Sequence, residues 1–323
     1  MAAIRRAFGP GFEVMEVRTP ASSDGDGGSG TAEAVRAARG AEVYLGWGIP
    51  RDVAAAARGT LRWVHSGSAG VGSALNQEFR ATGARLTNSR GVHAEPMADW
   101  VVAAIGFCLR GFHDAVRAQR EGRWAKEAFT NGLVRVREYA GTRVGIVGLG
   151  GIGSAVARRC VSLGMEVRAV RRRPRRPRPR GLRWVGGPDG RALRMLARRS
   201  DVLVLAAPHT AATRLAVNAA VLRALPAGAF LINVARGNLM DEAAVLDRLN
   251  ADRLGGCVLD VFSAEPLPAG HAFWTHPRVL VSPHVSAVSE RFWERETALL
   301  LENIRRYRAG RRLKNLVDLE AGY

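Results

Sequence analysis

The stretch VGIVGLGGIGSAVARRCVSLG (144–164) limits the folds open to this 323-residue chain more than any other. VGIV (144–147) has the continuous apolar pattern of a buried parallel strand. GLGGIG (148–153) fits GxGxxG, and the residues after it follow a helical pattern. VRAV (167–170) supplies a second strand and completes a βαβ unit. In such a unit Gly148 permits a tight turn, Gly150 lets the backbone approach a pyrophosphate, and Gly153 lets helix and strand pack closely. The helix start adds unpaired N–H groups and partial positive charge. Gly148, Gly150, Gly151, Ile152 and Gly153 are therefore candidate cofactor-binding residues.

The second strand runs into RRRPRRPRPR (171–180), seven arginines threaded with three prolines. In a dinucleotide-binding unit this point, roughly twenty residues past the first glycine, meets the adenosine ribose. A carboxylate there accepts from the 2′-hydroxyl of NAD. An arginine accommodates the 2′-phosphate of NADP, which a guanidinium grips in bidentate fashion. With no carboxylate present, Arg171 and Arg172 point to NADP(H) over NAD(H). The arginines beyond Pro174 are expected to form a solvated, extended surface run.

The formal charge of +19 suggests a nucleic-acid binder at first sight. Yet only Lys126 and Lys314 of the 48 basic residues are lysines, a bias that fits a GC-rich coding background better than a selected phosphate-binding face. Nucleic acid is not an expected partner. No run of about 18 apolar residues exists to span a membrane, and MAAIRRAFGPGF lacks the apolar core of a signal peptide, so a cytoplasmic protein is expected. Cys108, Cys160 and Cys257 stand far apart with no metal-ligand spacing, which predicts buried thiols and no metal site.

Short β/α alternation fills the first hundred residues. FEVMEV (12–17), EVYLGW (42–47) and RWVHS (62–66) read as strands, AEAVRAAR (32–39) and DVAAAAR (52–58) as helices, and SSDGDGGSG (22–30) as a mobile loop. One long helix is predicted from Pro96 to about Gln119. Further strands follow at DVLVLAAP (201–208), FLINVA (230–235), GCVLDVF (256–262) and VLVSPHV (279–285), and a last long helix at 289–310. Alternation of this kind predicts parallel sheets covered by helices. Ligands of such sheets bind outside the carboxyl ends of the strands. Arg236, Asp260, Glu265 and His284, each just after an apolar strand, would converge there.

At these residues the chain resembles the D-isomer specific 2-hydroxy-acid dehydrogenase family, over nearly its whole length. RGVHAEPMADW (90–100), VGIVGLGGIG, APHTAATR (207–214), NVARGNLMDE (233–242), DVFSAEPLP (260–268) and SPHVSA (282–287) occur in the family's order, and LKNLVDLEAGY resembles the tail of a glyoxylate/hydroxypyruvate reductase-like bacterial branch. The resemblance implies reversible reduction of a 2-oxo acid by NAD(P)H to a D-2-hydroxy acid. His284 would be the acid/base, since imidazole suits proton transfer near neutrality. Glu265 would fix its tautomer, and Arg236 would polarise the oxo group and bind the substrate carboxylate. Ala207, Pro208, Val234, Ala235 and Asp260 would flank the cofactor, with Asp260 near the nicotinamide carboxamide. HSGSAGVG (65–72) resembles the family's carboxylate-binding loop, offering backbone N–H groups of Ser68, Ala69 and Gly70.

The expected fold is α/β: a Rossmann-like doubly wound parallel sheet with a second, smaller flavodoxin-like α/β domain. Residues 99–289 form the dinucleotide-binding domain, and 1–98 with 290–323 a discontinuous substrate domain. The cleft between them would hold the ligands, and the helix after Pro96 would support a homodimer. Two departures from the family pattern stand out: Asp99 occupies a position where glutamate is expected, and IRRAFGPGFEVMEV resembles the first helix and second strand with no first strand ahead of them. The alternative reading is a dinucleotide-sensing, corepressor-like binding protein on the same fold.

Overall fold

The computed structural model describes residues 1–18, 29–320 and 322, so the predicted loop at 22–30 falls outside them as far as residue 28. In chain order the first elements are α1 (Ala2–Phe8), α2 (Ala32–Ala38), β1 (Val43–Gly46), α3 (Arg51–Ala56), β2 (Trp63–Ser66), α4 (Gln77–Arg80) and β3 (Arg85–Asn88). Then come α5 (Ala94–Leu109), α6 (Phe112–Arg120), α7 (Lys126–Thr130), β4 (Arg143–Val147), α8 (Gly151–Ser162), β5 (Glu166–Val170) and β6 (Trp184–Gly186). The rest are α9 (Gly190–Arg198), β7 (Val202–Leu205), α10 (Ala219–Ala224), β8 (Ala229–Asn233), α11 (Glu242–Asn250), β9 (Leu254–Leu259), β10 (Val279–Val281) and α12 (Phe292–Arg308). The chain forms two compact units, one of residues 1–93 and 289–323, the other of 94–288. The division spares α5, which lies whole in the larger unit.

The larger unit carries a seven-stranded sheet in the order β10-β9-β8-β7-β4-β5-β6, every pairing parallel. Strand β7 shows why helices cover both faces. Its side chains alternate, and all four are buried: Val202 and Val204 pack with α5 and α8, Leu203 and Leu205 with α9, α10 and α11. Each such side chain taken from water contributes about 1.5–3 kcal/mol. The chain moves outward from β4 through β5 to β6, then returns to β7 on the other side of β4. The order therefore reverses between β4 and β7, the place where ligands of open sheets bind.

The smaller unit holds a parallel three-stranded sheet, β1-β2-β3. Val53, Val64, Phe79 and Leu86 lie in one apolar cluster; Trp63, Leu300, Ile304 and Leu313 form another that ties α12 to the sheet. FEVMEV forms no strand. Phe12 and Val14 pack against the Trp63 cluster, so the alternation marks which side is covered without a ladder partner. The single helix predicted from Pro96 to Gln119 is two: α5 begins at Ala94 and ends at Leu109, and α6 starts after Gly111, a left-handed residue at φ +69. Pro96 is tolerated because first-turn N–H groups need no intrahelical acceptor. The arginine run is exposed, yet 174–176 make a turn closed by Arg176 N–H donating to Arg173 O at 3.2 Å, so it is not extended throughout.

All three cysteines are free and buried. Burial pushes the Cys160 and Cys257 thiols up to about 12, which makes them inert packing groups. Among the described residues no helix is long and apolar enough to cross a membrane.

Candidate active site

The glycine turn leaves β4 at Gly148, whose φ of +99 lies in the left-handed region. Its N–H donates to Val170 O at 2.9 Å, and a side chain there would collide with the Ala206–Ala207 backbone. Gly153 is tighter still: an added Cβ would stand 1.9 Å from Gly148 O. Beside Gly150, the N-cap of α8, a Cβ would meet nothing within 4 Å. The turn is thus closed on the helix side and open at the helix start, which fits a pyrophosphate against the backbone. Ala207 is buried against this turn, while Pro208 is exposed and its carbonyl accepts from Thr213 at 2.7 Å.

Strands β8, β9 and β10 are neighbours, and the turns after their carboxyl ends carry Arg236, Glu265 and His284. His284 Nδ1 lies 2.7 Å from Glu265 Oε2, and the other carboxylate oxygen accepts from Phe262 N–H at 2.8 Å. A carboxylate only accepts, so Nδ1 carries the hydrogen and Nε2 is left for other chemistry. The side chains of His284 and Glu265 are 45% and 34% exposed, enough for a small molecule to reach the imidazole. His284 itself sits at φ +56, where its N–H donates to Asp260 O at 2.9 Å. Arg236 is exposed, and its guanidinium donates to Ala235 O at 2.6 Å; neither Glu265 nor His284 is its partner.

Asp260 is fully buried. Its carboxylate accepts from Ser282 Oγ at 2.6 Å and from the Val285 and Ser286 N–H groups at 2.9 Å each. These oxygens hold the loop that presents His284. Asn233, which sequence reasoning missed, does the same for the neighbouring turn. It is buried, accepts from Ala235 N–H at 3.0 Å and donates to Arg236 O at 3.1 Å. Val234 and Ala235 are buried in that turn. Glu242, also missed, accepts from Ser263 N–H at 2.8 Å and steadies the approach to Glu265. A polar residue at the last position of an apolar strand was the available signal for Asn233.

Arg171, a candidate 2′-phosphate ligand, is held by the loop that follows it. Its guanidinium folds onto its own loop and donates to the carbonyls of Pro174, Arg176 and Pro177. Arg172 and Arg173 are exposed beside it. In the smaller unit, the loop after β2 is pinned by Asn88 Nδ2 donating to Ala69 O at 2.7 Å and by Ser89 N–H donating to Ser68 O at 3.2 Å. The Ser68 N–H points back to Ser66 Oγ at 3.3 Å, whereas the N–H groups of Ala69 and Gly70 find no acceptor among the described residues.

A family profile described as D-isomer specific 2-hydroxyacid dehydrogenase, NAD binding domain, matches residues 102–286. The chain belongs to the D-isomer specific 2-hydroxyacid dehydrogenase family. It is an NAD(P)-dependent oxidoreductase of that class, with a nicotinamide dinucleotide as cofactor. The dehydrogenase is 30% identical over 289 residues to glyoxylate/hydroxypyruvate reductase A of Yersinia enterocolitica, covering 88% of each chain. Its structure is similar to that of a family member from Xanthobacter autotrophicus Py2 in complex with NADPH and MES, with TM-score 0.81, 32% identity, and 100% and 94% of the two chains covered. It is also similar to the NADPH-dependent glyoxylate/hydroxypyruvate reductase of Sinorhizobium meliloti in complex with NADP and sulfate, with TM-score 0.78, 28% identity, and 100% and 96% covered.

Proposed function

We propose that the dehydrogenase reduces small 2-oxo acids, glyoxylate and hydroxypyruvate among them, to 2-hydroxy acids of the D series where the product is chiral, and that it prefers NADP(H). The observation that carries this reading is the 2.7 Å His284–Glu265 pair on the turns of adjacent strands. The bound nicotinamide supplies the hydride. His284 gives the Nε2 proton to the substrate oxygen as negative charge develops on it, and Glu265 holds Nδ1 so that Nε2 stays directed at that oxygen. Arg236 binds the substrate carboxylate and polarises the oxo group. Asp260 acts through the loop it pins.

Gly148, Gly150, Gly151, Ile152 and Gly153 hold the pyrophosphate, with Ala207, Pro208, Val234 and Ala235 shaping the strand ends around the rest of the cofactor. Arg171 props the 174–177 turn, and Arg172 takes the 2′-phosphate together with Arg173. The larger unit is the cofactor domain and the smaller the substrate domain, with Ala69 and Gly70 offering their N–H groups to a carboxylate. The dehydrogenase works as a homodimer; the exposed Trp124 and Leu133 flanking α7 supply apolar surface for association.

The test is steady-state kinetics on a panel of 2-oxo acids with NADPH and with NADH. Turnover of glyoxylate and hydroxypyruvate, with the higher kcat/KM for NADPH, is expected. Replacing Arg172 and Arg173 with glutamine should raise the NADPH KM about tenfold or more and leave the NADH KM within about twofold. A chain that binds NADPH yet turns over no 2-oxo acid would instead be the sensing protein.

A further inference from the structure

Three charged residues stand at the amino edge of the smaller sheet, where Arg85 is level with Trp63 and Arg62 lies one residue before it. Glu42 directly precedes β1, Arg62 precedes β2, and Arg85 opens β3. Backbone bonds join the row: Arg62 N–H donates to Glu42 O at 2.8 Å, and Arg85 N–H to Arg62 O at 3.0 Å. The last turn of α12 adds Tyr307 and Arg308. Together with Phe12 these residues line a recess of about 390 Å³. That volume lies within the ordinary range of small-molecule sites, about 300–1,000 Å³.

The chemistry of the walls is specific. The Tyr307 ring stacks on Trp63 at 5.3 Å, and the Arg85 guanidinium lies over the Tyr307 ring, 5.4 Å from its centroid. Burial first, and the Glu42 carboxylate second, push the Tyr307 phenol up, so it stays protonated and donates to Glu42. Arg308 donates to Ala7 O at 3.2 Å and is held by that bond. Among the described residues neither Arg62 nor Arg85 has a carboxylate partner within ion-pair distance. Three guanidiniums thus face one carboxylate already engaged by a phenol. The recess opens at the end of the sheet opposite Ser68–Gly70, about four residues or 13 Å of strand away, so it is separate from the loop offered to the substrate.

We propose that this recess is a binding site for a phosphate group, carried by a small molecule, with Arg62 and Arg85 as its principal ligands. Paired guanidiniums match phosphate geometry, and the aromatic floor of Phe12 and Tyr307 takes the organic remainder of an ester. Free phosphate and a phosphate monoester share the chemistry. The site does not depend on the reading of the catalytic residues.

The test is isothermal titration of the full chain, saturated with NADPH so that the ribose-phosphate subsite is filled, with inorganic phosphate and, separately, with glycerol 3-phosphate. Saturable binding is expected, tighter for the ester if the aromatic floor contributes and equal if the free ion alone is held. R62Q/R85Q should weaken both about tenfold or more while NADPH affinity is unchanged. E42Q, which removes the opposing charge and keeps an acceptor for Tyr307, should tighten both about two- to fivefold. Because the two changes act in opposite directions, a poorly folded double variant does not shield the proposal. Absence of saturable binding to the wild type, undiminished binding by R62Q/R85Q, or no gain in E42Q would overturn it.

Discussion

His284 occupies a left-handed backbone position that a non-glycine residue adopts only when its surroundings hold it. Two carboxylates supply that hold: Glu265 grips the ring, and Asp260 ties down Ser282, Val285 and Ser286 around it. Replacing His284 with alanine should lower kcat by about 10²–10⁴ with little change in NADPH affinity, since acid/base groups supply that much. Glu265→Gln keeps a hydrogen-bonding group but not the charge, and a smaller loss of about tenfold or more in kcat/KM is expected; both are read from glyoxylate reduction. His113 offers a stability readout away from this chemistry. It is buried with Nε2 unpartnered, and burial pushes its imidazole down to about 4. The unfolded chain therefore binds more protons there between about pH 6.5 and 4. The contribution is complete above about pH 6.5, is lost as pH falls to about 4, and amounts to about 3 kcal/mol. His113→Gln should flatten that part of the curve of Tm against pH. The placing of Arg236, Glu265 and His284 on turns after neighbouring strands was legible because each ionisable side chain follows an apolar strand. The partners of Asp260 were not, since they lie 22 to 26 residues further along and only folding brings them to it. Nor was the inward fold of Arg171, which depends on the turn that its own prolines make.

The strand–turn–helix unit around Gly153 leaves no room for a methyl group, because the obstacle is a backbone carbonyl rather than a movable side chain. Gly153→Ala should lower Tm by several degrees and weaken NADPH binding about tenfold or more, seen by calorimetry and by fluorescence titration. Elements of this kind were plain in the sequence: a long apolar run such as VLVL is buried on both faces wherever it sits, and its period says so. Strands β3 and β6 escaped notice because RLTN and WVG are short and lean on their neighbours for pairing. The break at Gly111 was hidden for a related reason. Apolar spacing continues across it, and only the left-handed turn of one glycine separates α5 from α6.

Two units with separate apolar cores need not melt together. Ile304 is fully buried beside Trp63 in the smaller unit, so Ile304→Ala should cost about 2–5 kcal/mol there. Differential scanning calorimetry should show one transition moved down and the other left near its original temperature. The two-unit plan itself was visible in the alternation of strands and helices; the first division, set at 98/99 from the sequence, falls at 93/94 because α5 packs whole with the larger unit.

The smaller unit is stitched from two separate stretches, 1–93 and 289–323, with Leu300, Ile304 and Leu313 closing over Trp63. All of residues 94–288 leave the ribosome before Leu300, Ile304 and Leu313 do, so the larger unit has its whole sequence while the indole of Trp63 still waits for its lid. Birth order and completion order are thus reversed: the part translated first is the last to become whole, and in that interval it is the part a chaperone would meet.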